Sequence, residues 1–296
     1  MPKNIPTKTS RGLLGIEDDK TVPIIRNHQI IDDNSEAVFY FPGCGSERLF
    51  SQVGLATQAM LYEVGAITVL PPGYLCCGYP QTSSGNHDKG QEITTDNRVQ
   101  FHRVANTLNY LDIKTVIVSC GTCMDQLQKY EFEKIFPDCR LLDIHEYLME
   151  KGVKMEGVNG QHYMYHDPCH SPMKTYNSLD VTKSLMDKEV ILNERCCGES
   201  GTFAVSRPDV ATQVKMRKQE EIEKGLKEIS PTNKNESVKI LTSCPSCLQG
   251  LARYGEDTST TTDYIVVELA KNNLGEGSLE DYVEKPTKGG IEKILL

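Results

Sequence analysis

The chain lacks any apolar run long enough to cross a membrane as a helix. Its longest apolar runs, such as residues 115–119, have the length of a β-strand, whereas a membrane-spanning helix needs about 18 or more apolar residues in succession. The N-terminal residues also lack the apolar core and the small-residue cleavage site of a secretory signal. We therefore expect a cytoplasmic protein without a transmembrane segment, in contact with a membrane only through a partner, if at all.

Positive charge is also in short supply. The 296 residues contain 32 Lys and Arg against 41 Asp and Glu, which gives a formal net charge of -9. This balance argues against a nucleic-acid partner, because such a partner is held largely by cationic contacts to phosphate. The hydrophobic fraction of 38% and the charged fraction of 25% are typical of a globular protein, and the length favours two domains.

Cysteine, by contrast, is abundant. Eleven cysteines in a reducing compartment indicate metal binding or redox chemistry, and an odd number cannot pair completely. Ten of them form two copies of one pattern, a single cysteine, a Cys-Cys-Gly and a Cys-x-x-Cys: Cys44, Cys76, Cys77, Cys120 and Cys123 in the first copy, and Cys169, Cys196, Cys197, Cys244 and Cys247 in the second. Only Cys139 lies outside the pattern, and we interpret it as a free thiol.

The two copies indicate an internal duplication. Cys44 and Cys120 are 76 positions apart, and Cys169 and Cys244 are 75 positions apart. The flanks agree as well, since residues 115–127 resemble residues 238–251: in each, a β-branched strand leads into Ser-Cys-x-x-Cys and then into a helical segment. A repeated frame of this kind predicts two copies of one structural unit.

Strand-like segments alternate with helical ones in both halves. This alternation predicts an α/β protein of two pseudo-symmetric Rossmann-like domains with parallel sheets. We place an N-terminal arm at residues 1–35, the first domain at 36–155, the second at 156–270 and a C-terminal tail at 271–296, with a hinge within 151–160. The motif cysteines all follow predicted strands, so we expect them at the carboxyl ends of the strands, where such sheets bind ligands.

The pattern favours iron–sulfur clusters over zinc. Soft thiolates suit both metals, but a zinc site closes with four ligands and each copy offers five cysteines. A Cys-x-x-Cys at a helix start also gains stabilisation of its thiolates from free backbone N–H groups. Gly78 and Gly198 would let the backbone turn closely around a cofactor. Structural zinc in at least one site remains the alternative.

Two histidines flank the first cysteine of the second copy. His166 and His170 could donate hydrogen bonds near a cluster and tune its potential, or take up protons with electrons. The alternative is that they are ordinary polar residues of a turn and a helix start. The charged segment 214–227 is interpreted as the solvent-facing side of a helix.

The duplicated pattern resembles the cysteine-rich CCG family, typified by the cysteine-rich subunit of heterodisulfide reductase, over about residues 38–270. In that family each complete motif binds a non-cubane [4Fe-4S] cluster through all five cysteines. The resemblance therefore implies two such clusters, one on each cysteine set given above, and two pseudo-symmetric Rossmann-like domains.

The sequences around the motifs are more similar to one branch of this group. Residues 41–50, 165–172 and 289–296 are similar to the C-terminal iron–sulfur region of FAD-linked oxidases that act on 2-hydroxy acids. The chain carries no flavin-binding domain and no ferredoxin-like cysteine run, so we expect FAD in a flavoprotein partner and any cubane clusters in a ferredoxin-like iron–sulfur subunit.

Three functions follow as hypotheses. The first is an iron–sulfur oxidoreductase subunit that relays electrons between a flavoprotein and an acceptor. The second is a disulfide reductase that cleaves its substrate at a cluster. The third is a scaffold protein stabilised by zinc. The cysteine spacing alone does not choose between the first two, because cluster potentials depend on hydrogen bonds and exposure.

Overall fold

The computed structural model describes residues 7–155, 160–198, 203–229 and 237–296. Part of the segment where a hinge was predicted, residues 156–159, lies outside these ranges. The described residues form two β-sheets with helices packed around them.

The first sheet has six strands. They are β1 (Thr21–Ile25), β2 (Ala37–Phe41), β3 (Ile67–Val69), β4 (Thr115–Val118), β5 (Arg140–Asp143) and β10 (Ile291–Leu295). Their spatial order is β10-β1-β3-β2-β4-β5. Strands β2 to β5 run parallel, and β1 runs antiparallel to both of its neighbours. Every residue of β2 and β4 is buried, as expected for central parallel strands covered on both faces.

The second sheet has four strands, all parallel. They are β6 (Gln161–His166), β7 (Val190–Leu192), β8 (Ser237–Thr242) and β9 (Thr261–Tyr264). Their order, β7-β6-β8-β9, repeats the order β3-β2-β4-β5 of the first sheet. The predicted α/β class with two related parallel-sheet units is therefore confirmed.

Thirteen helices are found in the described ranges: α1 (Ser10–Leu14), α2 (Ser51–Glu63), α3 (Tyr79–Ser83), α4 (His87–Thr107), α5 (Gly121–Leu127), α6 (Ile144–Glu150), α7 (Ser178–Met186), α8 (Phe203–Ser206), α9 (Pro208–Ile229), α10 (Pro245–Ala252), α11 (Gly255–Thr258), α12 (Ile265–Leu274) and α13 (Ser278–Thr287). A π-helical turn, Gly45–Leu49, and two 3-10 turns, Gln128–Tyr130 and Phe132–Lys134, complete the set. Among the described residues, none of these helices has both the length and the apolar character needed to span a bilayer.

The two ends of the chain contribute to the first sheet. The predicted arm contains α1 and β1, and the predicted tail contains α13 and β10. Strands β1 and β10 pair with Val22 opposite Ile294. Arg11 of α1 is fully buried and forms an ion pair with Glu47, which follows the first motif cysteine. The terminal segments thus extend and brace the first unit, while the domain boundaries themselves stay a prediction.

The two sheets share one hydrophobic core. Helices α2 and α12 pack against each other, and one buried cluster includes Ile117 and Leu142 of the first sheet together with Tyr163 and Leu241 of the second. The hydroxyl of Tyr264 lies 2.7 Å from the carbonyl oxygen of Ser119 and 2.9 Å from that of Ser243. These serines immediately precede the two Cys-x-x-Cys motifs, so one buried side chain ties both motifs together.

Tyr264→Phe is expected to lower the free energy of unfolding by about 1–3 kcal/mol, because two buried carbonyl oxygens lose the single O–H donor that they share. Urea unfolding of the anaerobically purified protein measures the effect. Tyr282→Phe is the matched control, since the buried Tyr282 hydroxyl has no hydrogen-bond partner within the described residues, and its removal should cost little. Equal losses in the two variants would contradict the bridging role of Tyr264.

Candidate metal centres

The first five cysteines meet at the carboxyl end of the first sheet. Cys44 follows β2, the pair Cys76 and Cys77 precedes α3, and Cys120 follows β4 as the N-cap of α5, which carries Cys123 in its first turn. Strands β2 and β4 are neighbours whose connections leave in opposite directions along the sheet, which is the position of the ligand crevice in doubly wound sheets.

Thiol contacts connect all five side chains of this first site. The pKa of Cys76 is lowered because Cys44 and Cys77 form hydrogen bonds with its sulfur. The pKa of Cys44 is raised, first by its hydrogen bond with Cys76 and then by burial. The pKa of Cys120 falls to about 6 through hydrogen bonds from Cys123 and other groups, although burial opposes this. These pairwise contacts, together with that between Cys77 and Cys123, join the five soft ligands in one continuous series.

The second five cysteines repeat this arrangement on the second sheet. Cys169 follows β6, the pair Cys196 and Cys197 follows β7, and Cys244 is the N-cap of α10, which contains Cys247. The Sγ atoms of Cys197 and Cys247 are 3.2 Å apart, and those of Cys169 and Cys196 are 3.8 Å apart.

Exposure distinguishes the two sites. Cys44 is partly exposed, whereas Cys169, at the matching position of the second site, is exposed to solvent. Cys197, Cys244 and Cys247 are buried. The second site is therefore open on the side of Cys169.

The two glycines after the cysteine pairs have a left-handed backbone conformation. Gly78 and Gly198 have φ values of +87° and +79°, which other residues rarely adopt. Their N–H groups point to the sulfurs of Cys76 and Cys196, at 3.5 and 3.4 Å. Each turn thus supplies a backbone donor to the first sulfur of a pair. Whether a cofactor meets either glycine stays a prediction.

A tyrosine supports each pair from behind, and the sequence reasoning missed both. Tyr130 donates to the carbonyl oxygen of Cys77 at 3.0 Å, and Tyr254 to that of Cys197 at 3.3 Å. Each lies seven positions after the last cysteine of its motif. This matched spacing in the two copies could have identified both tyrosines from the sequence. A second matched set, Tyr40 with Ser119 and Tyr165 with Ser243, joins each central strand to its Cys-x-x-Cys.

The ligand loops of the two sites touch each other. A Cβ atom on Gly121 would lie 1.5 Å from the carbonyl oxygen of His170, and one on Gly45 would lie 4.0 Å from Pro245. Each of these four residues directly follows a motif cysteine. The carboxyl ends of the two sheets therefore face each other, and the contacts are related by the duplication.

His170 lies in this contact rather than deep in the second site. Its ring Nδ1 forms a hydrogen bond with the carboxylate of Asp125, and its Nε2 lies 3.2 Å from the hydroxyl of Tyr79. Lys174 binds the same carboxylate at 3.1 Å. Asp125 and Tyr79 each lie close in sequence to cysteines of the first site, so His170 joins the two sites. Its predicted contact with a cofactor stays untested.

His166, in contrast, is buried beside the second set of thiols. One ring nitrogen and the sulfurs of Cys197 and Cys247 lie within 4.8 Å of one another. Its Nδ1 lies 3.0 Å from Nζ of Lys218. Lys218 is fully buried, which corrects the interpretation of residues 214–227 as a purely solvent-facing segment. Burial lowers the pKa of Lys218 to about 8, although the thiols of Cys197 and Cys247 oppose this shift.

The remaining cysteine belongs to neither site. Cys139 is half-buried beside the core of the first unit, and its pKa is raised to about 11, mainly by burial. A raised pKa leaves the side chain as a thiol at neutral pH. Cys139 therefore serves as a natural control for experiments on the motif cysteines.

The residues present fit an iron–sulfur cluster at each site. The donor atoms are sulfurs, most of them shielded from solvent, and thiolate is the ligand that such clusters require. The Nε2 atom of His166 is buried without a hydrogen-bond partner in the part of the chain that is described, as expected if its partner belongs to a bound group. The set of His166, Cys197 and Cys247 would also suit zinc.

The fold and the two matched centres define a duplicated α/β protein with ten cysteines in two five-membered sites. The family model described as "Cysteine-rich domain" (CCG) matches residues 38–128 and 163–252. The chain therefore belongs to the cysteine-rich CCG family. Residues 252–296 match a second model, described as a domain of unknown function (DUF3400). This second match covers β9, α12, α13 and β10, which brace the two sheets.

Curated relatives extend this assignment. One subunit of the fumarate reductase (CoM/CoB) of Methanothermobacter marburgensis is 29% identical over 62% of this chain and 37% of its own length. The probable glycolate oxidase iron-sulfur subunit of Bacillus subtilis is 24% identical over 71% and 48%, and lactate utilization protein A of an Exiguobacterium species is 24% identical over 60% and 77%. The chain spans less than half the length of the first two of these relatives. Family and relatives support an iron–sulfur protein of the oxidoreductase-subunit type.

Gly121→Ala is expected to destabilise the contact between the sites, because its methyl group would overlap the backbone of His170. Overpacking against backbone costs about 1–3 kcal/mol or more, and the resulting loss should appear as a lower urea midpoint. Gly45→Ala is the matched control at the position related by the duplication, where the methyl group has room. Comparable midpoints for the two variants would show that the ligand loops do not touch as described.

Proposed function

We propose that this chain is the iron–sulfur subunit of an oxidoreductase and that it carries two non-cubane [4Fe-4S] clusters. One would be held by Cys44, Cys76, Cys77, Cys120 and Cys123, and the other by Cys169, Cys196, Cys197, Cys244 and Cys247. When bound, such clusters supply one-electron carriers whose potential depends on their surroundings. The contact between the two ligand loops, Gly121 against His170, is the observation that carries the proposal, since it supports a relay between neighbouring sites.

Residues of the protein itself would hold the two ligand sites in fixed positions relative to each other. Tyr264 holds the backbone before Cys120 and before Cys244, and the hydrogen bond of His170 with Asp125 connects the ligand loops of the two sites. Burial of most of the cysteines keeps bulk water from the sulfurs. Fixed ligands and a dry environment lower the reorganisation that accompanies a change of charge.

The relatives support a partner chain for the exchange of electrons. One relative is described as the probable iron–sulfur subunit of a glycolate oxidase. This description supports a role for the present chain as one subunit of a redox complex. We assign FAD to a flavoprotein partner and any cubane clusters to a ferredoxin-like iron–sulfur subunit. The electrons would pass between that flavoprotein and an acceptor.

A second candidate function is disulfide reduction at the open site. The exposure of Cys169 favours it, because a substrate can approach that side of the second centre. A disulfide would take up two electrons from the partner and two protons from solvent, so that its S–S bond breaks and two thiols form. Adding a disulfide to protein reduced with dithionite distinguishes the functions: a new paramagnetic signal supports this candidate, and an unchanged spectrum together with co-purification of a flavoprotein supports the relay.

Cysteine substitutions test the two proposed clusters. The anaerobically purified protein should contain about eight irons per chain, and Cys123→Ser or Cys247→Ser should each leave about four, because each removes a buried ligand of one site. Cys139→Ser is the control and should keep the full content. Iron, sulfide and zinc analyses measure the outcome. One zinc and about four irons per chain would show that one of the two five-cysteine sites binds zinc, which contradicts the second cluster. A chain without iron would refute the proposal altogether.

A further inference from the structure

The duplication places different side chains at one matched position. Phe41 ends β2 and His166 ends β6, and each lies three positions before the first cysteine of its site. Phe41 packs edge-on against Phe101 of α4, with ring centroids 6.0 Å apart. His166 instead contacts Lys218 of α9, the helix that follows the second cysteine pair. The first site thus has an apolar pair where the second has a polar pair.

The surroundings of Lys218 match an ammonium group. Its Nζ lies 3.0 Å from the carbonyl oxygen of Asn193, 2.6 Å from that of Glu194 and 3.0 Å from Nδ1 of His166. Three acceptors correspond to the three N–H donors of a protonated lysine. The buried charge is therefore fully hydrogen-bonded, which is what allows a lysine to be buried.

This arrangement favours one tautomer of His166. Nδ1 lies 3.0 Å from Nζ of Lys218 and 3.4 Å from the carbonyl oxygen of Asn193. Because the contact with Nζ is the shorter, and the Asn193 carbonyl already accepts from Nζ, Nδ1 is assigned as the acceptor and the hydrogen resides on Nε2. Nε2 is buried and has no acceptor within the described ranges. The sulfurs of Cys197 and Cys247 lie within 4.8 Å of one nitrogen of the same ring. The imidazole thus presents an N–H group to whatever those sulfurs bind.

We propose that Lys218 is a positioning residue which orients His166 as a hydrogen-bond donor to the second cluster, giving that cluster a higher reduction potential than the first. This inference rests on the proposed function. Hydrogen bonds to cluster sulfurs and a nearby positive charge stabilise the more negative, reduced form, and Phe41 with Phe101 offers neither. Electrons would then run from the first site to the second, and leave on the side where Cys169 is exposed.

Redox titration followed by electron paramagnetic resonance tests this asymmetry. The Cys123→Ser background isolates the second cluster, and Cys247→Ser isolates the first, so each potential is measured alone. The second should be higher. In the Cys123→Ser background, Lys218→Met should decrease the ratio of reduced to oxidised cluster at fixed potential at least tenfold, which equals a shift of 59 mV to lower potential. Lys215→Met, an exposed residue of the same helix, is the control.

Two variants of His166 separate positioning from a merely structural role. His166→Phe, which copies the first site, should lower the second potential as Lys218→Met does. His166→Gln should lower the second potential less, because the glutamine amide can accept a hydrogen bond from Lys218 and still donate one to the cluster. Electron–nuclear double resonance in H₂O and D₂O should detect an exchangeable proton near the second cluster that His166→Phe removes.

Iron content separates the inference from the proposed function. If both clusters are present and the two potentials are equal, or if neither Lys218→Met nor His166→Phe changes the second potential, the inference is overturned and the two-cluster proposal stands. If iron is absent from the wild-type chain, the proposed function falls first. If Lys218→Met does not fold, His166→Phe and His166→Gln decide the same question.

Discussion

The contact between the carboxyl ends of two parallel sheets is the constraint on which the rest of the structure depends. Parallel strands direct their following loops to one edge, and here the edges of two sheets face each other. Gly121 has no room for a side chain against His170, and Tyr264 holds the backbone on both sides of the junction. Ten cysteines from distant parts of the chain are thereby gathered into two neighbouring sites.

The duplication explains the symmetry of this junction and also its exceptions. Tyrosines, glycines and strand order are matched between the halves, so both copies retain the same scaffold for five sulfurs. The exceptions are concentrated beside the second site, where His166 and Lys218 replace the aromatic pair Phe41 and Phe101. The two halves share the backbone that positions the cysteines but differ in the side chains beside them. Such a difference can give two similar clusters different reduction potentials.

Much of the fold and of the cysteine sets was accessible from the sequence, because cysteine spacing and strand–helix alternation are local signals. Strands β1, β9 and β10 were not predicted. The pairing of β1 with β10 depends on segments far apart in the chain, since Val22 lies opposite Ile294. Lys218 was missed for a related reason. Its helix carries many charges, and only the tertiary position of His166, Asn193 and Glu194 makes burial of one lysine favourable.

Anomalous diffraction from anaerobically grown crystals, recorded on both sides of the iron absorption edge, tests the central claim most directly. The account predicts two separate iron peaks, each surrounded by the five cysteine sulfurs of one copy of the motif, on either side of the contact between Gly121 and His170. A single iron site, or a peak at the zinc edge in place of either cluster, would contradict it.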